Sequence, residues 1–161
     1  MRRSTMILGG IFALLLICAT VFLLGGTLSA SLETVTAGAG DYPNAYAAIA
    51  RIVNADAAPQ RFDAPLPDDP AACRLEDVTI TLQNRGLFDA EWVSVSVAGA
   101  EGDIAVYSIS GEGGTVPARG SNTLNLKLIS AAGGVGRRTY RIQYYVYGMK
   151  RQINLMQTGE G

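Results

Sequence analysis

The chain has 161 residues, of which 48% are hydrophobic, with a net charge of −1 and no histidine. The near-zero charge gives the protein as a whole no electrostatic bias toward nucleic acid. The absence of histidine excludes Ser-His-Asp and Cys-His nucleophile systems and histidine-based metal sites.

The first predicted element is an apolar run, Met6–Leu24, which contains no charged residue and follows Arg2 and Arg3. As a helix, its 19 residues extend about 29 Å, close to the thickness of the hydrocarbon core of a bilayer. No base follows until Arg51, so the positive-inside rule keeps the N-terminus in the cytoplasm and exports the rest. We therefore predict a single-pass protein of the cell membrane, with residues 1–28 as a transmembrane helix and short cytoplasmic N-terminus.

Other interpretations compete for this run. A cleaved signal peptide fits the basic start, with Thr27-Leu28-Ser29 as its cleavage site, but secretory apolar regions usually span about 7–15 residues. Lipidation of Cys18 is disfavoured because Ile17 is too large to precede such a cleavage. A pilin-like leader cut after Gly10 lacks the early acidic residue of bacterial pilins. Because Cys73 lies well beyond the apolar run that contains Cys18, no internal disulfide is expected.

Residues 29–74 are predicted to form a stalk, a short helix and an acidic, proline-rich linker. The small residues of 25–41 indicate a flexible exit from the membrane. Asp41 can cap the helix, and apolar residues follow at helical spacing, namely Tyr42, Tyr46, Ile49 and Val53. We expect this helix to pack on its own domain, with the docking of a partner as the alternative.

The stretch 54–72 holds four of the six prolines and four aspartates. This composition favours a solvated linker over a helix or a central strand. Asp63, Asp68 and Asp69 lack the spacing and the glycine of a calcium-binding loop, so no metal site is predicted.

From Leu75 onward, apolar residues alternate with polar ones, which is the period of a half-buried strand. Alternating segments of this kind occur at 78–82, 93–97, 104–109, 124–128 and 140–146, separated by turns rich in glycine. They predict an all-β domain over residues 75–161, an immunoglobulin-like antiparallel β-sandwich that follows one N-terminal transmembrane helix. For the last hairpin, Gly148-Met149 suits a type II′ turn, which would set Tyr144 opposite Ile153.

The predicted outer face of this hairpin combines aromatic and basic residues: Arg141, Tyr145, Tyr147 and Lys150. Tyrosine and arginine often anchor interfaces, so this face is the candidate partner surface. Arg137, Arg138 and Arg151 add basic charge nearby. Two alternatives are a solvated strand face with protected edges, or tyrosines covered by the proline-rich residues 59–70.

Two segments carry a resemblance to a known family. VTITLQNRGLFDAEWVSVSV (78–97) has strand, Asn-x-Gly and strand, through Asn84, Gly86, Leu87, Phe88 and Asp89. TVPARGSNTLNLKL (115–128) has a turn and a strand, through Val116, Pro117, Ala118 and Gly120. Both resemble the late-embryogenesis-abundant type 2 (water-stress, WHy) domain of prokaryotic single-pass membrane proteins, and immunoglobulin-like modules of the CARDB type share the first. The resemblance implies a β-sandwich on a membrane tether, without enzymatic activity or cofactor, by analogy of fold.

The glycine clusters at 111–114 and 133–136 lack the Lys-Ser/Thr of a P-loop. We therefore predict that the protein is not an enzyme and uses no cofactor or nucleic acid. It is expected to be a membrane-tethered extracytoplasmic binding or structural module that contacts envelope components or another protein. The alternative is a subunit of a surface filament or secretion-type assembly, with the apolar helix as its packing core.

Overall fold

A computed structural model describes residues 2–24, 28–134 and 137–157, with side chains of the first helix described at 9–20. The helices are α1 (Arg2–Leu24) and α2 (Pro43–Asn54). The strands are β1 (Leu28–Gly38), β2 (Gln60–Arg61), β3 (Cys73–Asn84), β4 (Glu91–Ala98), β5 (Asp103–Ser110), β6 (Ser121–Ala131), β7 (Arg138–Val146) and β8 (Met149–Gln157). The predicted end of the first helix at residues 25–27, and part of the predicted loop 131–136, lie outside the described residues.

The strands form two antiparallel sheets, which confirms the prediction of an all-β sandwich. One sheet has the order β1-β3-β6-β5-β2 and the other the order β4-β7-β8. The alternation in the sequence accounts for the core between the two sheets, which we call the main core. In β3, Val78, Ile80 and Leu82 are buried, while Asp77 and Thr81 are exposed.

β1 departs from the sequence prediction of a flexible exit over 25–41. Residues Leu28–Gly38 pair along their whole length with β3 at the edge of the larger sheet. Leu28 is buried, and Ala30 and Leu32 pack partly against the main core. β1 is therefore part of the sandwich, which begins before the boundary predicted at residue 75. Its serines and alanines gave little hydrophobic alternation, and an edge strand needs only one modestly apolar face.

α2 covers part of the outer face of the larger sheet. Tyr46, Ile49 and Val53 are buried in a second cluster with Ile104 and Ile129. The prediction that this helix packs on its own domain is thus confirmed.

The start of α2 differs from the prediction. Tyr42 is the N-cap residue and no side chain caps the helix, so the prediction of an Asp41 cap is wrong. Pro43 occupies the first turn, where its missing N–H leaves no hydrogen bond unmade.

The proline-rich stretch is not a solvated linker throughout. Gln60 and Arg61 form β2 and pair with β5. Phe62 packs against the main core and Leu66 against the second cluster. Arg61 Nη1 also donates a hydrogen bond of 3.0 Å to the carbonyl oxygen of Val53, near the end of α2. The segment therefore holds α2 against the sheet.

Every described side chain of α1 is exposed, among them Ile11, Phe12 and Leu15. Within the described part of the chain, no helix is both long enough and apolar enough to cross a membrane.

Candidate functional site

β7 and β8 form the predicted hairpin, but its turn lies one residue earlier than predicted. Tyr147 and Gly148 are the two turn residues, with φ of 52° and 70°, the signature of a type I′ turn. Tyr144 consequently pairs with Arg151 and not with Ile153. The register moves by two residues, an even number, so each side chain stays on its predicted face.

The structure places three of the four predicted site residues on one face and the fourth in the turn. Tyr145 and Lys150 are cross-strand partners on the outer face of the smaller sheet. Arg141 lies on the same face, four residues back along β7. Tyr147 belongs to the turn, is 57% exposed, and packs its ring against Phe88 with centroids 4.3 Å apart.

The rest of this outer face is mostly polar, with the exposed acid Glu91 opposite Tyr145 and the exposed Met156 opposite Thr139. Its uncharged polar members are Ser94, Ser96, Gln143, Gln152 and Asn154. These side chains can each both donate and accept hydrogen bonds. The face can therefore contact a polar surface around the Tyr145–Lys150 pair.

The proline-rich segment does not lie beside these tyrosines. The Gln60 side chain bonds the backbone of Val97, accepting from its N–H at 3.1 Å. Val97 lies six residues along β4 from Glu91, the residue that pairs with Tyr145. The segment thus contacts the opposite end of β4.

Trp92 is a prominent surface residue that the sequence reasoning missed. It forms a β-bulge, because β4 sets Trp92 and Val93 opposite the single residue Tyr144 of β7. Its φ is 53° and its side chain is 69% exposed. A left-handed conformation costs a residue with a Cβ about 1–2 kcal/mol, so the surrounding structure must impose it. The sequence did contain a signal for this position. Because Val93 and Val95 alternate toward the core, Trp92 is expected to face outward.

Asn84 organises the end of the sandwich to which Trp92 belongs. This buried side chain donates to the carbonyl oxygens of Phe88 at 2.8 Å and Val116 at 3.1 Å, and accepts from the Gly86 N–H at 2.9 Å. Leu28, the first residue of β1, pairs with Asn84. We call this region the entry end; it comprises Leu28, the loops 85–90 and 111–120, the turn 147–148, and the adjoining residues Glu91, Trp92 and Lys150. The Asn-x-Gly element of the sequence therefore serves to tie loops together.

The basic residues near the last hairpin do not form one surface, since Arg138 is only 7% exposed and lies in a buried ionic cluster. Its Nε donates to both carboxylate oxygens of Asp103, at 2.9 and 2.8 Å. Its Nη2 donates to Oε1 of Glu76 at 2.8 Å, and the Ser130 hydroxyl donates to the same oxygen at 2.9 Å. The cluster joins four strands, β3, β5, β6 and β7, across the two sheets.

The electrostatics of this cluster favour its ionised form. Burial alone raises the pKa of Glu76, but the hydrogen bonds and charge of Arg138 outweigh it and hold that pKa below its ordinary value. Nearby, burial raises the pKa of Tyr140 to about 12, and its hydroxyl donates to Gln157 Oε1 at 2.7 Å. Since these polar groups bond one another, we assign the cluster a structural role.

A groove of about 640 Å³ lies at the other end of the sandwich, between residues 61–64 and 99–103. The carboxylate of Asp103 in its wall is already bonded to Arg138. In the portion of the chain that the structure describes, no group of three or more His, Cys, Asp or Glu could hold a metal ion. The groove therefore offers weaker grounds for a site than the outer face.

The described sandwich places the chain among the all-β proteins, and comparison adds no family. No family model matches it, nor does any protein with a curated description. The crystal structure of the GAE domain of yeast GGA1 is similar, at 11% identity and a TM-score of 0.41, over 63% of this chain and 100% of that one. The cupredoxin domain of amoB from Nitrosocaldus yellowstonii is similar at 14% identity and a TM-score of 0.38, over 84% of this chain and 91% of that one. Similarity at this level carries no argument about function.

Proposed function

We propose that this chain is a membrane-tethered extracytoplasmic binding or structural module and not an enzyme. Its immunoglobulin-like sandwich, carried on the transmembrane helix Met6–Leu24, contacts another protein or an envelope polymer. The N-terminus lies in the cytoplasm and the sandwich outside it.

Support for the tether comes from the sequence and from α1. The run Met6–Leu24 contains no charge, and Arg2 and Arg3 precede it. The described apolar side chains of α1 are exposed, and a helix that is apolar all round requires apolar surroundings.

The observation that carries the binding role is the cross-strand pair Tyr145 and Lys150, set in the polar outer face of the smaller sheet. Aromatic and basic side chains on a rigid sheet are suited to anchor a partner.

The adjacent edge of β4 is closed to strand addition. The Val93 N–H bonds the Gly114 carbonyl oxygen at 3.1 Å, and the Val95 N–H bonds Glu112 Oε1 at 2.7 Å. Gln60 bonds Val97 in the same way. A partner on this sheet therefore meets its face and not this edge.

The test uses the full chain as bait in detergent-solubilised membranes. Tyr145→Ala with Lys150→Ala should abolish partner recovery and leave the melting temperature nearly unchanged, because both side chains face outward. The matched control is Thr81→Ala with Thr123→Ala, an exposed cross-strand pair on the larger sheet, which should retain the partner. Equal recovery by both double variants would remove the outer face of the smaller sheet as the binding surface.

A further inference from the structure

The entry end is the end of the sandwich that lies nearest to α1. α1 ends at Leu24 and β1 begins at Leu28, so the two residues are separated by at most about 14 Å of extended chain. Leu28 in turn pairs with Asn84, whose side chain holds the 85–90 loop and Val116. The loops of the entry end are thus the part of the sandwich nearest to the tether.

The exposed side chains of the entry end include large apolar ones and bases. Trp92, Tyr147 and Leu87 are exposed by 69%, 57% and 50%. The exposed bases are Arg85, Arg119 and Lys150. Tryptophan and tyrosine beside arginine and lysine are the side chains that concentrate at membrane–water interfaces.

The backbone holds several of these side chains in unusual conformations. Among the described residues other than glycine, four have positive φ: Asp56, Trp92, Arg119 and Tyr147. Three of the four carry an aromatic or basic side chain of the entry end. Conformations of this kind persist where the fold fixes the direction of a side chain, and they concentrate at functional sites.

The exposed charged side chains at this end are three bases and three acids. Asp89 and Glu112 each accept a backbone hydrogen bond of 2.7 Å, from Ala118 and Val95. Glu91 is a further exposed acid here, opposite Tyr145. None of the ion pairs among the described residues involves Arg85, Arg119 or Lys150, so these bases can meet a ligand.

We propose that the entry end rests on the surface of the bilayer. Trp92, Tyr147 and Leu87 lie at the depth of the headgroups, and Arg85 and Arg119 meet anionic lipid phosphates. This inference rests on the tether proposed above and adds to it a fixed orientation of the sandwich, with α2 and the far groove directed away from the membrane.

Trp92 is the only tryptophan of the chain, so its fluorescence reports on this position alone. The full chain is reconstituted into vesicles of phosphatidylcholine and phosphatidylglycerol, some carrying bromine at a shallow acyl position. Trp92 should lose most of its emission to the brominated lipid. The matched control is Trp92→Phe with Tyr42→Trp, since Tyr42 is 54% exposed and lies beyond the far end of β1, about 33 Å along the strand. The fluorescence emission of this control variant should be unchanged by brominated lipid.

A second arm tests the bases. Arg85→Glu with Arg119→Glu should weaken the quenching of Trp92, and Arg137→Glu, an exposed arginine before β7, should not. Equal quenching in these two variants would overturn the contact with anionic lipid.

An alkaline carbonate wash separates failure of the inference from failure of the tether. If the wash removes the chain from the vesicles, both the tether and the contact of the entry end with the bilayer are disproved. Alternatively, the chain stays in the vesicles while Trp92 is quenched by acrylamide and not by brominated lipid. That result would overturn the contact of the entry end with the bilayer and leave the tether intact. If Trp92 is shielded from acrylamide but unquenched by lipid, a protein or second copy covers the entry end, and the lipid contact is likewise overturned.

Discussion

At the scale of single residues, the guanidinium of Arg138 faces two buried carboxylates, those of Glu76 and Asp103. Arg138→Met would leave both without a cation, which should lower the free energy of unfolding by about 3–5 kcal/mol. Arg137 is its exposed neighbour, and Arg137→Met should change that free energy by no more than about 0.5 kcal/mol. Urea unfolding followed by circular dichroism measures both, and similar losses would show that the cluster does not hold the sheets together.

The same cluster predicts an acid-sensitive fold. The pKa of Glu76 lies below its ordinary value of 4.5 in the folded protein. Its contribution to stability is therefore fully present above that ordinary value and is lost as the pH falls through the folded-state pKa. Glu76→Gln should flatten this part of the acid dependence of the unfolding free energy. Glu101→Gln, at an exposed position, should keep it, and an unaltered acid slope in Glu76→Gln would assign the dependence to other groups.

At the scale of elements, the phase of β6 can be tested with two adjacent residues. Leu126 is fully buried in the main core, whereas Asn125 faces outward and accepts from the Thr79 hydroxyl at 3.2 Å. Leu126→Asp should unfold the domain, because an unpaired buried carboxylate costs several kcal/mol. Asn125→Asp keeps an acceptor oxygen and should stay within about 0.5 kcal/mol of the parent. Thermal melting of the pair distinguishes them, and equal effects would mean that the strand phase is wrong.

The elements also show what the sequence could reveal. Strands such as β3 and β6 were predictable because Val78, Ile80 and Leu126 follow a strict period of two, which burial between two sheets imposes. β1 was missed because its partner β3 lies more than 30 residues away, so its pairing depends on tertiary contact and not on local pattern. The bulge at Trp92 and the turn at Tyr147 were missed for a related reason. A left-handed conformation at a residue other than glycine is imposed by its neighbours and leaves little trace in composition.

The same contrast applies to the candidate site. Tyr145 and Lys150 could be placed on one face because the hairpin is local and a shift of two residues preserves parity. The segments that carry Trp92, Arg119 and Tyr147 are brought to one end by long-range contacts of Val93, Asn84 and Phe88. Long-range contacts of this kind cannot be read from spacing along the chain.

At the scale of the whole molecule, β1 contacts both sheets. It pairs with β3 along its length, and its Thr34 hydroxyl accepts a hydrogen bond of 3.2 Å from Gln157 Nε2 of β8. It therefore covers one edge of β3 and closes the side of the sandwich where the two sheets approach each other. A force or a displacement transmitted through α1 would enter the domain by this strand.

Two truncations test whether β1 belongs to the folded domain. A chain that begins at Leu28 keeps β1 and should unfold cooperatively, as the full chain does. A chain that begins at Ala39 exposes the edge of β3 and uncovers the part of the core that Leu28, Ala30 and Leu32 occupy. Because an unpaired apolar edge promotes association, this shorter chain should aggregate or melt without a cooperative transition. Size-exclusion chromatography and thermal melting compare the two, and a monomeric, cooperatively folded chain from Ala39 onward would show that β1 is only a linker laid along the sheet.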